Sequence, residues 1–227
     1  MENKIDFRAV IFDMDGTLLD TLEDIADSMN AVLKEMDFPV HNIEAYKAFT
    51  GDGIVPLVER AFPPEFRDKE TVQAGVEKMQ KEYALRWSSK THPYDGIPEL
   101  LDELVLRKIQ MTILSNKLDR FTKLTAREFL SAWPFAQVKG ITPSIPKKPA
   151  PDGALLIARD LGFSPEEFVY IGDTDVDMKT AKAAGMFPVG ALWGFRCREE
   201  LIESGASVVI ENPLEALRLF DNGKIIS

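Results

Sequence analysis

Short apolar runs alternate with helical patterns along most of this chain. Three of the runs, at residues 9–12, 111–114 and 168–171, carry no charge and are rich in β-branched or aromatic residues. Such runs are typical of strands that are buried on both faces of a sheet. Weaker strand patterns follow at 137–141, 188–192 and 208–210. The alternation predicts an α/β fold with a doubly wound, mostly parallel sheet.

Between the first two strands the pattern is helical only. Apolar residues recur every three or four positions from Leu22 to Met36, and the pattern then continues in shorter segments. Those segments cover 43–49, 54–62 and 69–87. A single crossover needs only one helix, so the longer stretch predicts an inserted helical domain at 21–90. The core domain is then formed by residues 1–20 and 91–227.

Cap and turn residues delimit the later elements. Gly162 and Gly185 are suited to end helices in the left-handed conformation. The segment 164–167, Ser-Pro-Glu-Glu, has the pattern of a capping box with proline at the first helical position. A last helix is predicted at 213–220.

Composition narrows the class of partner. The 227 residues include 37 Asp and Glu against 27 Lys and Arg, for a net charge of −10. This balance argues against nucleic acid and anionic membranes as partners. Cys197 is the only cysteine, which excludes an intramolecular disulfide. The N-terminal residues show neither a signal peptide nor a membrane span, so the cytoplasm is the expected location.

Polar side chains follow three of the predicted strands. Asp13 and Asp15 come after the first strand, Ser115 and Asn116 after the second, and Asp173 after the strand at 168–171. Parallel strands bring their carboxyl ends to one edge of the sheet, where ligands bind in open α/β folds. Asp and Gly after a strand are also ordinary turn formers, and Ser115 could simply cap a helix.

Charge accounting indicates what this edge can bind. Lys148 lies between prolines on a rigid segment that leads into a helix. Three aspartates carry −3, which Mg²⁺ together with Lys148 would balance, and oxygen ligands favour Mg²⁺ over zinc. A phosphate dianion is tolerable only with such compensation. Lys147 and Lys148 could instead be a solvated pair, and Asp177 only a first-turn acid of its helix.

Four motifs in this order resemble those of the haloacid dehalogenase superfamily of phosphohydrolases. They are Asp13-Met-Asp-Gly-Thr, Ser115-Asn, Lys148-Pro-Ala-Pro-Asp and Gly172-Asp-Thr-Asp-Val-Asp. The resemblance covers essentially the whole chain, and it implies a Rossmann-like core with an inserted α-helical cap. The motifs are similar to those of phosphoglycolate phosphatases within that superfamily.

The resemblance implies a role for each motif. Asp13 would be the nucleophile that forms an aspartyl-phosphate, and Asp15 the general acid and base. Ser115 would hold a phosphoryl oxygen, while Lys148 would neutralise phosphate charge and orient Asp13.

The family pattern also implies a metal and a cap loop. Asp13, the backbone carbonyl of Asp15, and Asp173 would bind Mg²⁺, and Asp177 would join through water or steady Lys148. The loop formed by Thr50, Gly51, Asp52 and Gly53 is similar to the cap loop that closes over substrate, with Asn116 and Lys117 as the facing wall. A plain helix-helix turn is the alternative for this loop.

The expected substrate is a small phosphorylated metabolite, with phosphoglycolate first. Pyrophosphate, nucleotides and sugar phosphates stay open, as do a monomeric and a homodimeric state. Asp15 argues against a dehalogenase, and Ile25 and Ile54 stand approximately where phosphomutases of this class carry a histidine and an arginine. A receiver-like signalling protein or a silent phosphate-binding protein is the alternative outside enzymes.

Overall fold

A six-stranded parallel sheet lies at the centre of the molecule. The computed structural model describes residues 6–221. Strand β1 is central, between β4 and β6, in the order β5-β4-β1-β6-β7-β8. The strands are β1 Ala9–Phe12, β2 Leu19–Asp20, β3 His92–Pro93, β4 Gln110–Leu118, β5 Phe135–Ile141, β6 Phe168–Gly172, β7 Phe187–Ala191 and β8 Val208–Ile210. The predicted α/β fold with a parallel, doubly wound sheet is therefore confirmed.

Helices make up most of the remaining described chain. The α-helices are α1 Leu22–Glu35, α2 Ile43–Phe49, α3 Ile54–Ala61, α4 Lys69–Arg86, α5 Ile97–Leu106, α6 Asp119–Phe129, α7 Asp152–Leu161, α8 Asp175–Ala184 and α9 Arg198–Glu203. Gly162 and Gly185 end α7 and α8 in the left-handed conformation, as predicted. Among residues 6–221, no helix combines the length and apolarity needed to cross a membrane.

Strand β1 supplies side chains to both faces of the sheet. Val10 and Phe12 belong to one buried cluster, which also contains Leu101 and Leu104 of α5. The alternate residues, Ala9 and Ile11, belong to a second cluster on the opposite face. All four strand residues are fully buried, which explains why the sequence shows a continuous apolar run and no alternation.

Helices α1 to α4 share a separate apolar cluster. Its buried members include Leu22, Met29, Val58, Phe62 and Met79. The two chain segments that connect this cluster to the sheet pair as the short antiparallel strands β2 and β3, which the sequence did not predict. The domain boundaries at residues 20 and 90 stay a prediction.

Two predicted elements need correction. Strand β4 does not end at Leu114: it continues to Leu118, so Ser115 and Asn116 lie within the strand. The ladder to β5 shifts its register after Leu114 and resumes with the pair Leu118 and Ile141, which lets polar residues occupy the strand. Residues 213–220 form a 3-10 helix, and a 3-10 turn also follows the predicted capping box at Ser164.

Asp24 joins helix α1 to the second connecting segment. It lies in α1 with 1% of its surface exposed. Its carboxylate accepts hydrogen bonds from the backbone N–H of Lys90 at 3.0 Å, and from the N–H and Oγ1 of Thr91 at 2.9 and 2.8 Å. The carboxylate thus satisfies backbone donors at the end of the helical stretch.

We expect Asp24→Ala to lower the free energy of unfolding by about 2 kcal/mol, because it leaves buried donors unpaired. Asp27, on the exposed side of the same helix, is the matched control. Urea unfolding followed by circular dichroism should show a much smaller loss for Asp27→Ala. Equal losses in the two variants would contradict the anchoring role of Asp24.

Candidate active site

Asp13 and Asp15 leave the central strand at its carboxyl end. The backbone N–H of Asp13 still donates to the carbonyl of Ile171 in β6, at 2.9 Å, so Asp13 is held by the sheet. Both carboxylates line one cavity of about 130 Å³. The predicted convergence of Asp13 and Asp15 on a shared pocket is therefore present in the structure.

Gly16 lets the chain turn against Asp173. Its φ of +87° is a conformation that side chains disfavour, and an added Cβ would lie 2.3 Å from Asp173 Oδ2. Asp173 is fully buried and accepts hydrogen bonds from Thr17 Oγ1 at 2.7 Å and from the N–H of Phe195 at 2.9 Å. The turn after β1 and the end of β6 thus fix each other.

Lys148 lies between two of the aspartates. Its Nζ is 2.9 Å from Asp13 Oδ1 and 2.6 Å from Asp177 Oδ1, and the side chain is 2% exposed. Asn116 holds the lysine backbone: Oδ1 accepts from the N–H of Lys148 at 2.8 Å, and Nδ2 donates to its carbonyl at 3.2 Å. Asn116 was expected as a pocket wall, and its fixation of Lys148 was not foreseen.

The buried charges shift one another's pKa values. Burial raises the pKa of Asp13 well above its ordinary value, and the Asp177 and Asp173 carboxylates add to that rise against the effect of Lys148. Burial and Asp177 raise the pKa of Asp173 to about 7. Burial alone would lower the pKa of Lys148, but Asp13 and Asp177 raise it well above the ordinary lysine value.

The same crowding fits a divalent cation. Asp13, Asp173 and Asp177 each place a carboxylate oxygen within 4.8 Å of the others. Carboxylate oxygens are the ligands that Mg²⁺ prefers, and their mutual repulsion is what a bound cation would offset. Asp177 differs from the other two because Lys148 and Thr174 occupy its oxygens: Thr174 Oγ1 donates to Oδ2 at 2.6 Å.

Lys117 connects the site to helix α4. Its Nζ donates to Asp15 Oδ1 at 2.6 Å and to the hydroxyl of Tyr83 at 2.7 Å. Ser115 also lines the cavity, and its Oγ accepts from the N–H of Lys117 at 3.2 Å. Tyr83 has no sequence signal of its own, because it fits the helical pattern of α4 as an ordinary core residue.

The predicted cap loop lies on the site. Thr50, Gly51 and Gly53 line the cavity, and the Gly51 carbonyl accepts from Asn116 Nδ2 at 3.1 Å. Arg196, which follows β7, donates to the carbonyl of Thr50 at 2.8 Å. This hydrogen bond between Arg196 and the loop was not foreseen, since a lone arginine after a strand carries no sequence signal.

Asp52 has a different neighbourhood from the rest of the loop. Its carboxylate pairs with Arg60 at 2.5 Å. Asp52 is not one of the described residues that line the cavity. The Arg60 side chain is half-exposed, and its guanidinium is engaged by Asp52.

Comparisons with known proteins agree with this arrangement. The model of the family "Haloacid dehalogenase-like hydrolase" matches residues 10–191. The phosphoglycolate phosphatase of Aquifex aeolicus is 30% identical over 215 residues, which cover 95% of this chain and 97% of that protein. The phosphoglycolate phosphatase of Xanthomonas campestris pv. campestris is 30% identical over 207 residues, covering 91% and 93%.

A solved structure shares the whole architecture. The crystal structure of a candidate phosphoglycolate phosphatase from Lactobacillus delbrueckii subsp. bulgaricus superposes with a TM-score of 0.88 at 28% identity. The superposition covers 96% of this chain and 100% of that one. The likeness therefore extends to the helices α1 to α4 as well as to the sheet.

A parallel α/β sheet with acids at its carboxyl edge and a buried lysine among them is an arrangement suited to phosphoryl chemistry. The chain belongs to the haloacid dehalogenase-like hydrolase family. Within it, the protein is a phosphoric monoester hydrolase similar to phosphoglycolate phosphatases. The family recognised from the sequence motifs is confirmed.

We expect Gly16→Ala to lower kcat by about 100-fold or more, because the added Cβ displaces Asp173 or the Asp13 turn. Gly162→Ala is the matched control: its φ is +73°, but nothing lies within 4 Å of the added Cβ. Steady-state kinetics and thermal unfolding would be measured for both. Full activity in Gly16→Ala would contradict the tight turn.

We expect Lys117→Met to lower kcat by about 10- to 100-fold, because Asp15 loses the ion pair that orients it. Lys123→Met, an exposed lysine on the next helix, should leave kcat unchanged. Steady-state phosphate release provides the measurement. Equal kcat values for Lys117→Met and the wild type would show that Asp15 does not depend on this contact.

Proposed function

We propose that the protein is an Mg²⁺-dependent phosphatase that hydrolyses a small phosphate monoester through an aspartyl-phosphate on Asp13. The observation that carries the proposal is the contact between Asp13 and the buried Lys148 at 2.9 Å, beside a cavity that Asp13 and Asp15 both line. A nucleophile, a proton-transfer group and a phosphate-binding cation thus share one small site.

In the first step, a carboxylate oxygen of Asp13 attacks phosphorus. The bond between phosphorus and the ester oxygen breaks, and its electron pair goes to that oxygen, which takes a proton from Asp15. The leaving alcohol departs neutral, and the phosphoryl group stays on Asp13.

In the second step, Asp15 accepts a proton from water as the water oxygen attacks phosphorus. The bond from phosphorus to Asp13 breaks, which restores the carboxylate and releases inorganic phosphate. Asp15 returns to its protonated form, ready for the next ester.

Ser115 and Lys148 stabilise the transferring group. The hydroxyl hydrogen of Ser115 is free to donate to a phosphoryl oxygen, since the backbone contact uses the oxygen as acceptor. Lys148 offers a desolvated positive charge, which is worth more here than in water. Asp177, paired with Lys148 at 2.6 Å, positions the lysine.

Asp13 and Asp173, with the backbone carbonyl of Asp15, would hold Mg²⁺, and Asp177 completes the acidic cluster. When bound, the cation supplies positive charge that balances the carboxylates and the phosphate dianion.

We further propose that residues 21–90 act as a cap domain on a core of residues 1–20 and 91–227. The loop at 50–53 contacts Asn116 and Arg196, so substrate would enter when these contacts open and react when they re-form. Closure would keep bulk water away from the aspartyl-phosphate. We expect the enzyme to act in the cytoplasm as a monomer or homodimer.

A phosphomutase is the second candidate, and it needs a cationic site for a second phosphate. Ile25 and Ile54, the positions considered for that site, both line the cavity. A receiver-like signalling protein would accept phosphate once and needs no helical insertion. Repeated release of inorganic phosphate separates the proposed phosphatase from both alternatives, because a mutase returns the phosphoryl group to its substrate and a receiver keeps it.

We expect Asp13→Asn to abolish phosphate release and Asp15→Asn to slow it by about 100- to 10,000-fold, since a proton-transfer group is lost. Asp175→Asn is the control, because this nearby acid pairs with Lys179 on the surface of α8. Phosphate release from small esters would be followed with Mg²⁺ and with a chelator. Acid-quenched enzyme should retain labelled phosphate only when Asp13 is present.

Near-normal release by Asp13→Asn, or equal rates with Mg²⁺ and chelator, would contradict the proposal. Single stoichiometric labelling without release would favour the receiver alternative.

A further inference from the structure

The cavity beside Asp13 and Asp15 has a polar end and an apolar body. The polar end is the carboxyl edge of the sheet, with Ser115. The body is built by helices of both the cap and the core, and its side chains include Ile25, Ile54, Leu57, Met79, Leu118 and Phe121. A leaving group attached to a phosphate at the polar end would therefore contact hydrocarbon.

Polar side chains that line the body are already paired. Among the described residues that line the body of the cavity, Lys117 is the only cationic one. Its ammonium already donates to Asp15 and to Tyr83. Gln80 Oε1 accepts a hydrogen bond from Arg120, and Thr50 Oγ1 donates to the carbonyl of Tyr46. A negatively charged substrate group in the body would therefore find no cationic side chain that is not already paired with a carboxylate.

The net charge of the site also disfavours a second anionic group on the substrate. Four aspartates of the site, Asp13, Asp15, Asp173 and Asp177, face two lysines. With Asp15 protonated, as the first step requires, and with Mg²⁺ bound, these groups carry a net charge of +1, so a bound phosphate dianion leaves the site negative. A second anionic group on the substrate, such as a carboxylate, would add repulsion in an apolar, desolvated place.

We propose that this site prefers phosphate monoesters with an uncharged, apolar leaving group over esters that carry a second anion, phosphoglycolate included. The inference rests on the phosphatase function proposed above and specifies its substrate class. A cavity of about 150 Å³ lined by similar side chains can hold benzene. A cavity of about 130 Å³ therefore suits a phosphoryl group with a leaving group of a few carbon atoms.

The first test is a substrate series on the wild-type protein with Mg²⁺. Methyl, propyl and isobutyl phosphates vary the apolar surface at nearly constant leaving-group basicity. We expect kcat/KM to rise by about fourfold for each added methylene, as expected for its burial. Phosphoglycolate and its uncharged amide form a matched pair, and we expect the amide to be at least about tenfold better.

The second test places a cation in the body of the cavity. Ile54→Arg should shift the ratio of kcat/KM values toward phosphoglycolate by about tenfold or more relative to isobutyl phosphate. Val55→Arg is the control, since Val55 is the next residue of α3 and is 43% exposed. The ratio is measured within each variant, so a partial loss of folded protein does not affect it.

The outcomes separate the two proposals. Wild-type turnover that is fastest on phosphoglycolate, or a flat alkyl series, would overturn the apolar preference and leave the phosphatase function standing. Absence of turnover on every ester with Mg²⁺ would overturn both. A rising alkyl series, together with a ratio that shifts in Ile54→Arg and not in Val55→Arg, is the supporting result.

Discussion

The structure depends on keeping several carboxylates together at one buried edge of a sheet. Lys148 is the group that makes this tolerable, because its ammonium contacts both Asp13 and Asp177 out of reach of water. Buried charges are stable only when paired and hydrogen-bonded. Asn116 lines the pocket and also positions Lys148, since it hydrogen-bonds both the backbone N–H and the backbone carbonyl of that lysine.

Tight backbone packing serves the same edge. Gly16 and Gly194 approach Asp173 so closely that an added Cβ would lie 2.3 Å from its atoms. This closeness gives the carboxylate its bonds to Thr17 and to the N–H of Phe195. The acids are thereby oriented before any ligand arrives, which is the condition for electrostatic stabilisation of a transition state.

The helical segment contacts the polar edge of the sheet and lines part of the cavity beside it. Lys117 joins Asp15 to Tyr83 of α4, and Asn116 reaches the carbonyl of Gly51, so groups at the sheet edge contact the helices directly. The body of the cavity is apolar because α1, α3 and α4 turn their apolar side chains toward it.

The sequence by itself determined most of the elements, the fold class and the family. Apolar runs predict the strands, and Asp13, Asp15, Asp173 and Lys148 carry a family signature through residue type and spacing. Tertiary structure alone decided the pairing of β2 with β3 and the contacts of Tyr83, because these join residues far apart in the chain. It also decided that Ser115 and Asn116 lie within β4. Local sequence patterns indicate periodicity and turns. A shift in strand register, or the set of residues that line a cavity, depends instead on which distant parts of the chain pack together.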